Sequence, residues 1–214
     1  EYKNMQNQEL FNEYFAKLIK EKSTRTVLIY TDYDSDGIHG GLILSEVFKN
    51  LEIKFDWYIN SRQNGYGINE DVICELFKNH EYSDFISIDL GITNGDVVEF
   101  LKDNWNPFVI ITDHHTIQQE KYPKYADIVV NPKLNLKSPE NFLCGAGVIY
   151  KLVEKFYCNQ AMKIWVGIAT IGDMVPLNPY SENKNIVTEC LRIINSEEIE
   201  NERIRFLFQN MYGF

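Results

Sequence analysis

Three apolar runs in this chain each end on an aspartate, and that repeat limits the possible fold more than any other feature. VLIYTDYDSDG carries Asp32, Asp34 and Asp36 directly after Val27 to Tyr30. ISIDLG ends on Asp89, and VIITDHH ends on Asp113, His114 and His115. Each run reads as a buried strand bounded by turn chemistry. Helical periodicity fills the gaps: apolar residues recur at helical spacing in 40–51, 69–79 and 94–102. Strands that alternate with helices give right-handed βαβ units and a parallel sheet. In such sheets ligands bind beyond the carboxyl ends of the strands, where all three acidic ends must lie.

The fold expected is therefore α/β: a mostly parallel five-stranded sheet with helices on both faces, followed by an all-helical C-terminal segment. Its strands are placed at 25–31, 53–59, 85–89, 108–112 and 128–130. An amphipathic helix over 4–22 precedes them, and helices over 145–157, 161–171, 182–194 and 197–211 follow. A chain of 214 residues, 44% hydrophobic and 14% aromatic, is large enough to bury such a core. It has no apolar run near the ~20 residues that span a bilayer and no basic or apolar leader, so no membrane partner is expected. Cys74, Cys144, Cys158 and Cys190 are scattered with no C-x-x-C pair. Free thiols in a reducing cytoplasm fit that pattern. The first residue is Glu1, and the chain is read as a piece of a longer protein. The net charge of −10 argues against a general nucleic-acid coat protein.

Asp32, Asp34 and Asp36 crowd three carboxylates into five residues. One would suffice to cap a helix; three repel one another unless a cation lies between them. Asp89 alone reads equally well as a helix cap. The strand–Asp–His–His junction offers hard oxygen and imidazole donors together, a mixture that suits Mn2+, and Zn2+ or Fe2+ less specifically. Asp173 closes the apolar helix of GIATIGDMVPL, where the helix dipole disfavours an anion. Gly145 and Gly147 open a helix and read either as a phosphate seat or as a tight helix–sheet contact. Arg62 and Tyr66, in INSRQNGYGIN, read as a phosphate clamp and a base-stacking ring or as an ordinary surface turn. Lys121, Lys124, Lys133 and Lys137, interleaved with Tyr122 and Tyr125, suit a single strand or a solvated loop alike.

DYDSDG, SIDLG, TDHH and IGDMVPL, in this order, resemble the four motifs of the DHH phosphoesterase superfamily. INSRQNGYGIN, VVNPK, LCGAGVIYKL and ENKNIVTECL are similar to segments of its RecJ-type nucleases, so the resemblance runs from about Val27 to Ile194. It implies two divalent ions, most often Mn2+ with Mg2+ an alternative, bridged by Asp89. One ion would take Asp36, His114 and Asp173. The other would take Asp34 and Asp32, the latter where phosphodiesterase relatives carry His. His115 would face the scissile phosphate. The implied activity is 5′-to-3′ hydrolysis of single-stranded DNA to mononucleotides. The alternatives are a phosphodiesterase for short oligonucleotides or cyclic dinucleotides, and a catalytically silent scaffold in a replication or repair assembly. Residues 1–195 would form the DHH domain and 196–214 the start of a connector to DHHA1 and OB-type domains that grip the DNA. The chain departs from the pattern at His39, where RecJ enzymes commonly carry Thr or Ser.

Overall fold

A computed structural model describes residues 5–136, 138, 140–179, 181–196, 199, 200, 202 and 204–206. Helix α1 (Gln8–Glu21) precedes β1 (Thr26–Thr31). Then come α2 (Ser35–Asn50), β2 (Lys54–Ile59), α3 (Glu70–Asn79), β3 (Asp84–Ile88), α4 (Gly95–Asn104), β4 (Phe108–Thr112) and β5 (Ile128–Val130). Three helices close the described chain: α5 (Gly145–Val153), α6 (Gln160–Gly172) and α7 (Glu182–Asn195).

The strands form one sheet in the order β2-β1-β3-β4-β5, and every pair is parallel. The expected sheet was mostly parallel; each strand here returns through a crossover, so none runs antiparallel. Alternate strand residues feed opposite faces, as a period of two requires. Val27, Ile29, Ile86, Ile88, Ile110, Ile128 and Val130 pack with α1, α2, α5 and α6. Leu28, Tyr30, Phe85, Val109, Ile111 and Val129 pack with α3 and α4 on the other face. A smaller cluster joins α6 to α7 through Ile164, Cys190 and Ile193.

Chain order reverses between β1 and β3, so α2, which follows β1, and α4, which follows β3, leave on opposite faces and open a crevice between these two strand ends. Register then fixes what lines it. Thr31 pairs with Ile88 and Ile88 with Thr112, so Asp32, Asp89 and Asp113 follow in neighbouring rows. The two sheet edges are β2, with Lys54 and Asp56 exposed, and the three-residue β5. Asn7 donates from Nδ2 to Val129 O of β5 at 2.7 Å.

Some boundaries differ from the sequence reading. The helix expected from Gly40 begins at Ser35, because Asp34 Oδ1 accepts from Asp36 N and Gly37 N and caps it five residues earlier. The first helix begins at Gln8, after Asn7 takes a left-handed conformation. The helix expected to reach Tyr157 ends at Val153. There the backbone tightens, with Phe156 N donating to Val153 O, and the Phe156 ring lies 4.6 Å from that of Phe15. Most of the helix expected over 197–211 lies outside the described residues.

At the amino ends of β1 and β3, Asp84 is fully buried. It accepts hydrogen bonds from Arg25 through both Nε, at 2.8 Å, and Nη2, and from Tyr14 Oη at 3.0 Å. Removing Arg25 would leave an uncompensated buried charge, which costs about 3–5 kcal/mol. Arg25→Ala is therefore expected to lower the urea midpoint sharply. Glu52→Ala, which breaks only the exposed pair with Lys22, should leave the midpoint unchanged within error.

Candidate metal centre

Four chain segments bring the acidic and imidazole groups together at the carboxyl end of the sheet. Asp32 leaves β1 and is buried, its Oδ1 accepting from Tyr33 N at 2.8 Å. Asp34 caps α2 and is exposed. Asp36, in the first turn of α2, is buried and reaches across to α5, where it accepts from Gly145 N and, at 2.8 Å, from Ala146 N. Asp89 follows β3 with φ 64°, a left-handed conformation for a non-glycine residue. That costs about 1–3 kcal/mol and persists only where surroundings enforce it. The turn aims the Asp89 carboxylate into the crevice rather than at a helix amide, so it does not serve as a helix cap. His114 closes the group from the end of β4. Its Nε2 lies 3.2 Å from Asp89 Oδ1, 3.6 Å from Asp36 Oδ2 and 3.7 Å from Asp173 Oδ2.

Three donor sets result, each with all its atoms within 4.8 Å of one another: Asp36, His114 and Asp173; Asp32, Asp34 and Asp89; Asp89, His114 and His115. The first two are the two sets the resemblance implies, with Asp89 between them. Asp89 is the group that demands a partner. Both its carboxylate oxygens are buried, and neither accepts a hydrogen bond of good geometry even though His114 is near. A buried carboxylate without donors is costly, and a divalent cation supplies what hydrogen bonds do not. The mixed Asp/His donor set fits such an ion.

The ionisation equilibria carry the same message. Burial, then the neighbouring Asp36 and Asp113, push Asp89 well above the usual carboxylate range. Burial moves Asp36 up to about 7, against the amides of α5 that favour its ionised form. Asp32 is raised by burial, and Asp173 by burial and then by Asp34. Asp173 caps the carboxyl end of α6, where the helix dipole adds to the repulsion. His114 is pushed down to about 4, first by burial and then by His115. It is therefore neutral near pH 7, with a lone pair to offer.

Asp113, read in the sequence as the oxygen donor of the Asp–His–His junction, belongs to none of the three donor sets and instead supports the histidines. Fully buried, its Oδ1 accepts from His114 N, His115 N and His115 Nδ1, and its Oδ2 from Ile92 N. Burial alone would lift its ionisation; His115 outweighs burial and lowers it. Asn131, which the sequence reading missed, donates from Nδ2 to His115 O at 3.1 Å and caps the turn that carries Lys133. The charge of Lys133 is felt at His114, His115 and Asp173. The only signal for Asn131 was its position inside VVNPK.

The remaining candidates fall in different places. Gly145 and Gly147 open α5, but its first two amides already hold Asp36, and Gly147 N donates to Cys144 Sγ. Of the two readings given for these glycines, the phosphate seat is filled by a side chain of the protein itself. Gly145 is instead a close contact: a Cβ at this position would lie 2.6–2.8 Å from atoms of Asp89. Tyr66 joins the site through His115, with Oη 2.8 Å from Nδ1. Arg62 sits over the Tyr33 ring at 5.5 Å, beside the first acidic strand end. Tyr122 packs into the core beside α3 and α4, Lys124 lies over the Tyr125 ring, and Lys137 is outside the described residues.

A doubly wound parallel sheet that gathers Asp and His at its carboxyl ends, in sets able to hold metal ions, defines a class of α/β proteins. Residues 26–172 match the DHH family, N-terminal domain, and the chain belongs to that family. It is 33% identical over 168 residues to the single-stranded-DNA-specific exonuclease RecJ of Bacillus subtilis strain 168, covering 76% of this chain and 20% of that protein. It is 32% identical over 187 residues to RecJ of Thermus thermophilus, covering 82% and 26%. A crystal structure of exonuclease RecJ bound to manganese superposes with a TM-score of 0.74 at 27% identity, covering 92% of this chain and 50% of that one. The chain is thus a RecJ-like DHH phosphoesterase domain and spans a fifth to a quarter of the length of these curated relatives.

Carboxylates with raised folded-state ionisation stabilise the fold at low pH and lose that contribution as pH rises. For Asp36 the loss runs from about 4, its unfolded value, through about 7. In a chelator, the melting temperature should fall across this interval, and Asp36→Asn should flatten that part of the profile. Mn2+ should raise the melting temperature more at about pH 8 than at about pH 5. Calorimetric scans with and without the ion check both points.

Proposed function

We propose that this chain is the hydrolytic core of a RecJ-like nuclease, cleaving phosphodiester bonds of single-stranded DNA from the 5′ end and releasing 5′-mononucleotides. The observation that carries this reading is the buried, donor-free carboxylate of Asp89 inside a ring of Asp and His. Such a group has no structural use without a cation. Asp36, His114 and Asp173 would hold one ion, Asp32 and Asp34 the other, with Asp89 shared. Mn2+ is the expected ion, as in the manganese-bound RecJ relative, with Mg2+ an alternative. The chemistry these ions supply when bound is neutralisation of the charge that builds on the phosphoryl oxygens, together with an activated water.

The protein's own residues then divide the remaining work. Asp113 holds the Nδ1 proton of His115, which leaves Nε2 of that ring to face a phosphate, and Asn131 fixes its backbone. Lys133 contributes a positive charge on the same side. Gly145 keeps the space above Asp89 clear. DNA polarity and single-strand preference come to this proposal from the RecJ relatives. In the full-length parent, DHHA1 and OB-type domains beyond a connector at 196–214 would grip the strand, and the parent would work in the cytoplasm. The net charge of −10 favours one further reading: alone, the domain would prefer a dinucleotide or another short oligonucleotide, because it offers few cations to a long backbone.

A 5′-labelled single-stranded oligonucleotide and a dinucleotide, each incubated with Mn2+, separate these readings. Release of labelled mononucleotide from the long strand supports the exonuclease; cleavage of the dinucleotide alone supports the small-substrate enzyme. Asp89→Ala should lower either rate at least about a thousandfold, since the loss of shared charge stabilisation is worth several kcal/mol. The same variant should lose the Mn2+-dependent rise in melting temperature. A wild-type protein that binds Mn2+ and cleaves neither substrate would sink the proposal.

A further inference from the structure

Tyr66 stands between two glycines that both take positive φ, Gly65 at 78° and Gly67 at 95°. The loop is held by two asparagine side chains, Asn60 and Asn94. Asn60 Nδ2 donates to Gly65 O at 2.9 Å and to Gly67 O at 3.1 Å, and Asn60 itself is 3% exposed. Asn94 Oδ1 accepts from Ile68 N at 3.1 Å and lies 2.6 Å from where a Cβ on Gly67 would stand. A surface loop framed this closely places the side chain it carries with little freedom.

What it places is a phenol beside His115. Tyr66 Oη is 2.8 Å from His115 Nδ1, and the two rings meet edge to face at 5.3 Å between centroids. His115 Nδ1 is also 2.8 Å from Asp113 Oδ1. An ionised carboxylate only accepts, so the Nδ1 proton points to Asp113. The Tyr66 hydroxyl therefore cannot direct its own hydrogen at Nδ1, which already carries one, and that hydrogen is free to point into the crevice. A phenol keeps its proton near neutral pH and is hence a donor. Tyr66 as a residue is 51% exposed, so a ligand can reach it.

We propose that the Tyr66 hydroxyl is a substrate-contacting group, donating a hydrogen bond to a phosphoryl oxygen seated beside His115. The sequence suggests Tyr66 as a base-stacking ring; the geometry gives the hydroxyl the more specific task. This rests on reading the site as one that takes phosphate esters. A purely structural role is the alternative, in which the phenol only braces the imidazole.

The test uses the 214-residue chain with Mn2+ and thymidine 5′-monophosphate as the probe, with thymidine as the phosphate-free control, by calorimetric titration. Tyr66→Phe keeps the ring and deletes the donor. It should weaken the monophosphate about tenfold, the scale of one hydrogen bond to a charged acceptor, and leave Mn2+ affinity and any thymidine binding unchanged. Equal monophosphate affinity in the two proteins would overturn the assignment. So would a parallel loss for thymidine, or a wild-type protein that does not bind the monophosphate. If Tyr66→Phe weakens the monophosphate as expected while the wild type cleaves no phosphodiester, the hydrolase reading fails and the Tyr66 contact stands.

Discussion

The tie between Asp36 and the first amides of α5 is the interaction on which the rest of the site depends. It spans more than a hundred residues of sequence and joins the first acidic strand end to the helix that follows the sheet. A helix start carries partial positive charge and unpaired N–H groups. Committing them to Asp36 permits a buried carboxylate within reach of a second one, Asp89, before any cation is counted. It also fixes the closeness of α5 to β3, which is why residue 145 has no room for a side chain. Cys144 caps the same helix from below, its Sγ accepting from Gly147 N.

From that tie the functional geometry follows in order. α5 presses on Asp89, and the left-handed turn at Asp89 turns its carboxylate away from every amide. His114 is then held over it by Asp113, which grips the backbone of both histidines. Asp173 arrives last, from a helix whose end is the wrong place for an anion. Each of these groups is unfavourable alone and is held by the packed sheet beneath it. Local cost at a site that is rigidly supported from below is the usual mark of chemistry rather than of stability.

Much of this was legible in the sequence because strands buried on both faces write themselves as continuous apolar runs, and acids cannot hide among them. The three strand ends, their order and the parallel sheet all came from that contrast. What the sequence did not disclose is where side chains reach. Spacing alone made Asp36 one of three alike acids, and only the family resemblance set it apart; in the structure it turns inward to α5 while Asp34 caps α2. Gly145 and Gly147 read equally as a seat for phosphate or a tight helix–sheet contact, because the pattern shows that amides are present and cannot show that Asp36 already occupies those of Gly145 and Ala146. Asp113 looked like an oxygen donor for a metal, whereas its carboxylate is spent on His114 N, His115 N, His115 Nδ1 and, once β3 and β4 are paired, Ile92 N. Helix starts moved for the same reason: the cap at Asp34 is a hydrogen bond, and periodicity does not register it.

The two flanks of the sheet carry a consequence for how such a domain behaves in a crowded solution. A parallel sheet exposes rows of unpaired amides and carbonyls at its first and last strands, and these can recruit another chain. Here β2 presents Lys54 and Asp56 on alternate positions, and β5 is only three residues long with one of its carbonyls taken by Asn7. Charge on one side, and brevity with a blocking amide on the other, deny a neighbouring molecule the continuous ladder that edge-to-edge aggregation requires.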